Sequence, residues 1–322
     1  MTVNDIDLSI VIPVFNEAEN IIPLFNELKE TLDKIKRNYE IIMVDDGSTD
    51  NSFEIMNKLQ SGDPSLIVIS LRRNFGQTPA FTAGFDRARG AVIVTMDGDM
   101  QNDPADIPNL LTEMEKGYDI VSGWRKYRAD GPLTRQLPSR IANFILSHIT
   151  GIELHDYGCS LKAYKSEIVK NLKLYGEMHR FIPAIASWMG VSVGEVEVKH
   201  LRRNSGKSKY GIMRTPQVIL DLITVKFLLG YSTSPLRIFG LLGIASLFSG
   251  LVIATYLSFL KIFFGHPLTE RPLLLMAVLL IIFGVQIGTM GLIGELVVRS
   301  YYESQNKPTY VIREILDSKS NM

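Results

Sequence analysis

Short, continuously apolar runs alternate with longer amphipathic stretches through the first half of the chain. Leu8-Ser-Ile-Val-Ile-Pro13, Glu40-Ile-Ile-Met-Val44, Leu66-Ile-Val-Ile-Ser70, Ala91-Val-Ile-Val-Thr-Met96 and Tyr118-Asp-Ile-Val-Ser122 have the length and β-branched content of strands. Between them, residues 20–36 place Ile21, Leu24, Phe25, Leu28, Leu32 and Ile35 at helical spacing, and residues 78–87 and 106–116 also read as helices. Strands that are apolar on both faces, separated by helices, predict an α/β domain with a mostly parallel sheet covered on both sides. Ligands of such sheets bind beyond the carboxyl ends of the strands. Acids gather there: Asp45 and Asp46 after the second strand, Asp97 and Asp99 after the fourth.

The pattern changes near residue 230. Residues 235–264 contain only Arg237 and Lys261 as charged side chains, and residues 273–298 only Glu295, near the end of the run. Each run exceeds the roughly 20 residues needed to cross a bilayer as a helix. Gly265-His-Pro-Leu-Thr-Glu-Arg-Pro272 joins them as a polar turn, so the pair is expected to form a transmembrane hairpin. Residues 1–214 then form the α/β domain, 215–234 a juxtamembrane segment and 299–322 a C-terminal tail. In the juxtamembrane segment Val218, Leu222, Val225 and Leu229 share one helical face. That face suits either the membrane interface or packing on the domain.

Charge narrows the partners. The 322 residues carry 34 Lys+Arg and 34 Asp+Glu, so no global field attracts nucleic acid, and basic sites must be local. One cysteine, Cys159, excludes an internal disulfide and is read as a small buried hydrophobe. The first residues lack a basic stretch followed by an apolar one, so no secretory signal is expected. Arg214, Lys226 and Arg237 precede the hairpin and Arg299, Lys307 and Arg313 follow it. The turn region has Lys261 and Arg271, partly balanced by Glu270. This count favours an inner-membrane protein with both termini and the α/β domain in the cytoplasm.

Asp97-Gly98-Asp99 directly follows an apolar strand. Two carboxylates one residue apart at a strand end can turn toward one hard cation, with Gln101 as a neutral oxygen donor nearby. Mg²⁺ or Mn²⁺ suits that set, usually completed by substrate phosphates. Asp103-Pro104 fits a helix cap. Asp45-Asp46-Gly47-Ser48-Thr49-Asp50 is a second acidic turn. Capping accounts for Ser48 and Asp50, whereas the adjacent Asp45 and Asp46 suit hydrogen bonds to a nucleobase or ribose. Pro13, Phe15 and Glu17 lie on the same edge and would wall such a pocket. Arg125, Arg135, Arg140, Arg202, Arg203, Lys207 and Lys209 lie between the acids and the apolar helices; each fits phosphate binding or a solvated surface. His179 and Arg180 fit either a sugar or phosphate contact or a capping role. His148, His155 and His200 are read as structural.

In this order the segments Ile12-Pro-Val-Phe-Asn-Glu17, Val44-Asp-Asp-Gly-Ser48, Arg73-Asn-Phe-Gly76, Asp97-Gly-Asp-Met-Gln101 with Pro104, and Arg203-Asn-Ser-Gly-Lys-Ser-Lys-Tyr210 resemble the family-2 nucleotide-sugar glycosyltransferases of GT-A fold. Within that family the chain more closely resembles the polyisoprenyl-phosphate hexosyltransferases, of the dolichol-phosphate mannose synthase and bacterial undecaprenyl-phosphate glucosyltransferase type. The hairpin and Pro308-Thr-Tyr310 also look like the bacterial members. The resemblance implies that Asp97, Gly98, Asp99 and Gln101 form the metal and diphosphate site. It implies that Pro13, Phe15, Glu17, Asp45, Asp46 and Arg73 belong to the nucleotide pocket. Arg125 is implied to face the phosphates, Arg135 and Ser139 to hold the lipid phosphate, and Arg203, Ser208 and Lys209 to form a second phosphate segment. Gly98, Met100 and Asn102 depart from the family's commoner residues without removing a ligand atom.

The expected reaction is inverting transfer of one hexose to polyprenyl phosphate for cell-envelope glycans. The donor is UDP-glucose or a UDP-N-acetylhexosamine, with GDP-mannose as the alternative, and a homo-oligomer is compatible with the family. Processive polysaccharide synthases share the acidic turns. They also carry a Gln-x-x-Arg-Trp segment, which neither Trp124 nor Trp188 provides, and more spanning helices. A non-catalytic scaffold would not require the metal ligands.

Overall fold

The computed structural model describes residues 6–126, 147, 152–172, 174, 178–201, 235–265, 267, 272–304 and 309–317. The chain divides into two units, Met1–Val225 with Pro308–Met322, and Lys226–Lys307. In the first, β1 (Leu8–Val14), β2 (Tyr39–Asp45), β3 (Leu66–Leu71), β4 (Val92–Thr95), β5 (Ile120–Trp124), β6 (Lys162–Lys165), β7 (Val193–Glu197) and β8 (Ile312–Leu316) build one sheet. Their order is β7-β5-β6-β4-β1-β2-β3-β8. The first four strands are parallel, as is the β5–β7 pair, while β6 and β8 run antiparallel to their neighbours. The mostly parallel α/β sheet is therefore present.

The core follows from the apolar patterning. β1 to β4 are buried along nearly their whole length because helices cover both faces. α1 (Ala18–Ile35) buries Ile21, Leu24, Leu28 and Leu32 to 1% exposure or less. Each such side chain contributes about 1.5–3 kcal/mol. α2 (Ser52–Gly62), α3 (Gln77–Arg87) and α4 (Ile107–Glu115) return the chain between strands. At the amino edge, buried Glu40 accepts from Ser9 Oγ (2.7 Å), Arg89 N (2.7 Å) and Arg89 Nε (2.8 Å). That edge is locked by polar contacts, leaving the carboxyl edge to carry the loops. β1 has β2 on one side and β4 on the other, so the chain direction across the sheet reverses at β1 and opens a crevice there.

The tail of residues 299–322 holds a strand that its own sequence does not announce. β8 lies along the free edge of β3, with Ser70 opposite Glu314 and Ile69 opposite Ile315. β6 and β7 were likewise not expected.

The second unit is two helices, α5 (Pro235–Phe264) and α6 (Pro272–Ser304). The first ends at the polar turn and the second runs past residue 298. Both are long and apolar enough to cross a membrane, and only 17% and 11% of their most apolar windows are buried. Apolar side chains such as Phe248, Ile262, Leu275 and Ile282 face outward. Against each other the helices present small residues. A Cβ on Gly284 would lie 2.7 Å from Gly243 O and from Leu247 N, and Ser246 Oγ donates to Leu280 O at 2.8 Å. Close backbone approach replaces hydrophobic burial as the association force in such a pair.

Gly284→Leu is expected to force these helices apart and leave the sheet domain folded. In detergent, the cross-linking yield between cysteines placed on α5 and α6 should fall severalfold while protease-resistant sheet domain remains. Unchanged cross-linking contradicts the tight glycine contact.

Candidate active site at the carboxyl edge of the sheet

The loops after β1 and β2 are zipped together. Asn16, at φ 53°, donates from its N–H to Ser48 Oγ (3.0 Å), and its Oδ1 accepts from Thr49 N (2.8 Å). Asp50 accepts from Ala18 N (3.2 Å) and Ser52 N (3.0 Å), the capping role its position suggested. Glu17 accepts from Asn20 Nδ2 at 2.7 Å. Pro13, Phe15 and Glu17 are half-buried on this wall.

Asp45 and Asp46 are each 3% exposed, and both are used. Asp45 Oδ1 accepts from Ser48 N (3.0 Å) and Oδ2 from Ser70 Oγ (3.2 Å). Asp46 accepts two backbone amides, Phe75 N at 2.7 Å and Gly76 N at 2.9 Å, gripping the turn between β3 and α3. Gly47, at φ +69°, lies directly on that chain: a Cβ there would be 2.5 Å from the carbonyl carbon of Arg73. Arg73 is exposed and stacks 4.2 Å over the Phe75 ring. Burial pushes the Asp46 carboxyl up to about 6, against the pull of the Phe75 and Gly76 amides and aided by Asp45.

From the gripped turn α3 leads straight to the second acidic pair. Gln77 Nε2 donates to Asp97 Oδ1 at 2.6 Å. Thr78 Oγ1 meets His179 Nδ1 at 2.7 Å. Burial holds His179 neutral, well below its usual range, with Arg180 and Lys162 acting in the same sense. Arg180 Nε donates to His179 Nε2 at 3.3 Å, so the ring proton belongs on Nδ1, facing Thr78. His179 thus fixes the start of α3, and Arg180 stands beside it.

Asp99 Oδ1 accepts from Gln101 N at 3.2 Å, and Met100 between them takes φ 57°. A non-glycine residue in that conformation bends the chain back under the acids. Gly98 lies against β1, where a Cβ would be 3.2 Å from Pro13 O. Asp103 accepts from Ala105 N at 2.9 Å, the expected cap. Among the described residues no group of three or more His, Cys, Asp or Glu could hold a metal. The donor set nonetheless fits Mg²⁺ or Mn²⁺, because two carboxylates give hard oxygen ligands and phosphate oxygens with water complete such shells.

Arg125 follows β5 and is held from beneath. Its Nε donates to Asp156 Oδ2 (2.8 Å) and its Nη2 to Asp156 Oδ1 (3.1 Å), with the Asp156 side chain 1% exposed. Two of the five guanidinium donors are thereby spent on orientation. Arg125 and the fully buried Lys162 both interact electrostatically with Asp97. Lys162 Nζ donates to Tyr157 O (2.9 Å) and to Cys159 O, pinning the segment that carries Asp156. The sequence reading missed Gln77, Thr78, Asp156 and Lys162. Gln77 and Thr78 directly follow Arg73-Asn-Phe-Gly76 and had that signal. Arg135, Ser139, Arg140, Arg202, Arg203, Lys207, Ser208, Lys209 and the juxtamembrane segment 215–234 lie outside the described residues.

A mostly parallel sheet whose carboxyl edge sets acids after β2 and β4 on either side of β1 is the arrangement of a GT-A glycosyltransferase, and the comparisons with known proteins agree. The chain belongs to glycosyl transferase family 2, whose model matches residues 9–173. It is 44% identical over 322 residues to the dodecaprenyl-phosphate galacturonate synthase of Rhizobium johnstonii, covering 99% of this chain and 95% of that one. It is 36% identical over 311 residues to the undecaprenyl-phosphate 4-deoxy-4-formamido-L-arabinose transferase of Shewanella sediminis, covering 96% and 92%. The fold is shared with glucosyl-3-phosphoglycerate synthase from Mycobacterium tuberculosis, solved with Mn²⁺, UDP-glucose and phosphoglyceric acid. That match has TM-score 0.55 and 19% identity, over 68% of this chain and 79% of that one. The same enzyme with Mg²⁺ and UDP matches with TM-score 0.53 and 20% identity, over 68% and 79%.

Asp46→Asn places an amide N–H against one of the two backbone N–H groups. The expected result is a rise of about tenfold in KM for the nucleotide donor, the scale of one buried hydrogen bond lost. Protonation of the wild-type carboxyl does similar damage, so donor affinity should weaken below about pH 6, and the variant should lack that step. Folding stability responds in the opposite sense. The raised value favours the fold at low pH, and this contribution is lost as pH rises through about 6. Donor KM and unfolding midpoints measured across this range check both signs. A pH-independent wild-type KM contradicts the assignment.

Proposed function

We propose that the enzyme transfers one hexose from a nucleoside-diphosphate sugar to polyprenyl phosphate, with inversion at the anomeric carbon. The observation that carries this reading is the carboxyl edge itself. Asp45 and Asp46 shape one half and Asp97 and Asp99 the other, in a chain similar along nearly its whole length to polyprenyl-phosphate sugar transferases. A phosphate monoester is close to doubly ionised at neutral pH and is already a nucleophile. It needs alignment and charge neutralisation rather than a strong base.

Each part then has a task. Asp97 and Asp99, with Gln101, would hold a divalent cation, which supplies Lewis acidity toward the departing diphosphate. Gln77 orients Asp97, and Arg125, held by Asp156, adds fixed positive charge on the same side. Pro13, Phe15, Glu17, Asp45, Asp46 and Arg73 form the nucleotide side. Arg135, Ser139, Arg203, Ser208 and Lys209 receive the lipid phosphate. The sugar is the finer question. The two relatives named above are named for galacturonate and a formamido-arabinose, so the donor panel of UDP-glucose, UDP-N-acetylhexosamine and GDP-mannose is widened by a nucleoside-diphosphate hexuronate and a nucleoside-diphosphate 4-amino-pentose.

Asp99→Asn should lower turnover by about two or more orders of magnitude at unchanged unfolding temperature, and EDTA should abolish wild-type transfer until Mn²⁺ or Mg²⁺ is restored. Purified enzyme, undecaprenyl phosphate and the radiolabelled panel provide the assay. Full activity of Asp99→Asn in EDTA contradicts the metal site.

The domain layout proposed is a catalytic domain at 1–214, a juxtamembrane segment at 215–234, a hairpin at 235–298 and a cytoplasmic tail beyond, in the inner membrane. Connectivity supports one side for both flanks, because the chain leaves the sheet unit before α5 and re-enters it as β8 after α6. In a Cys159→Ser background, a cysteine at Thr269 should react with an impermeant maleimide in whole cells, and one at Ser318 only after lysis. The reverse pattern overturns the orientation.

A further inference from the structure

We propose that the chain's last strand is a positioning element of the donor site, with Tyr310 and Asp317 as its anchors; the inference rests on the transferase reading above. β8 pairs with β3 along its length, and the register shifts between Ser70 and Leu71, at the exit toward the site. There Arg72 N donates to Val311 O at 3.0 Å. The next four residues are those under Gly47 and in the grip of Asp46.

The same segment also holds the far end of α3. Tyr310 Oη donates to Asp86 Oδ2 at 2.7 Å, and Arg87 pairs with Asp317, whose side chain is 1% exposed. Burial and the Asp86 carboxylate push the Tyr310 hydroxyl up, so it keeps its proton and donates. α3 is thus tied to the tail at its carboxyl end, while its amino end carries Gln77 on Asp97 and Thr78 on His179. The tail grips β3 and α3, the two elements that meet at the Asp46 turn. Releasing it frees that turn to shift, and a shift there moves both acidic pairs relative to a bound nucleotide. The acceptor-side residues lie on other segments and should not respond.

The test uses the full-length, detergent-solubilised chain with donor, Mn²⁺ and undecaprenyl phosphate. Tyr310→Phe/Asp317→Asn should raise donor KM about fivefold or more, with acceptor KM within about twofold and kcat changed less than donor KM. A chain ending at Lys307 should show the same defect more strongly, and a synthetic peptide of residues 308–322 should restore donor KM by adding the missing strand. An unchanged donor KM in the double variant overturns the proposal, as does an equal rise in acceptor KM. If the wild type transfers no sugar from any donor, the transferase reading fails on its own. UDP–Mn²⁺ affinity by calorimetry, expected to fall fivefold or more in the same double variant, then decides the tail's role, and an unchanged affinity overturns it. Should the shortened chain not fold, the double variant alone carries the decision.

Discussion

Two backbone N–H groups, of Phe75 and Gly76, point at the buried carboxylate of Asp46, and the rest of the site is arranged around that contact. The chain leaving β3 must reverse into α3 within a few residues and has no regular partner for its amides there. A carboxylate at the end of β2 supplies both acceptors. Gly47 makes the approach possible, since any side chain would strike the backbone of Arg73. Once the turn is fixed, Gln77 and Thr78 are delivered to Asp97 and His179 without further adjustment. An acid that the sequence suggests as a nucleotide ligand is thus seen to hold the turn between β3 and α3.

The parts legible in the sequence were those whose signal is local. β1 to β5 are apolar on both faces and announce themselves, as do α1 and the two long apolar helices. β6 reads Lys-Ala-Tyr-Lys and gave no such signal. Its Lys162 is fully buried only because antiparallel insertion between β4 and β5 brings its ammonium to the carbonyls of Tyr157 and Cys159. β8 reads Ile-Arg-Glu-Ile-Leu, with no period-two alternation to mark it as a strand, and its partner β3 lies more than 200 positions away. The same holds within the site. Asp97 and Asp99 were readable from their spacing after a strand, whereas the links between Thr78 and His179 and between Arg125 and Asp156 exist only through the fold.

The chemistry places two demands on this architecture. Negative charge from a diphosphate and a lipid phosphate must meet at one carbon, so cations must be fixed where they converge. Under the proposed role, Arg125 would meet that demand, and its bidentate pair with Asp156 already fixes its orientation. A polyprenyl-phosphate acceptor is a lipid, whereas a nucleotide-sugar donor is water-soluble. The chain departs from the sheet domain into two apolar helices and returns to it as β8.

The central claim is a single displacement in which the lipid phosphate attacks the sugar directly. The anomeric configuration of the purified lipid product, read by NMR alongside that of the donor, tests it most directly. The account predicts one sugar per lipid with the configuration inverted. Retention, or a polymer on the lipid, would contradict it.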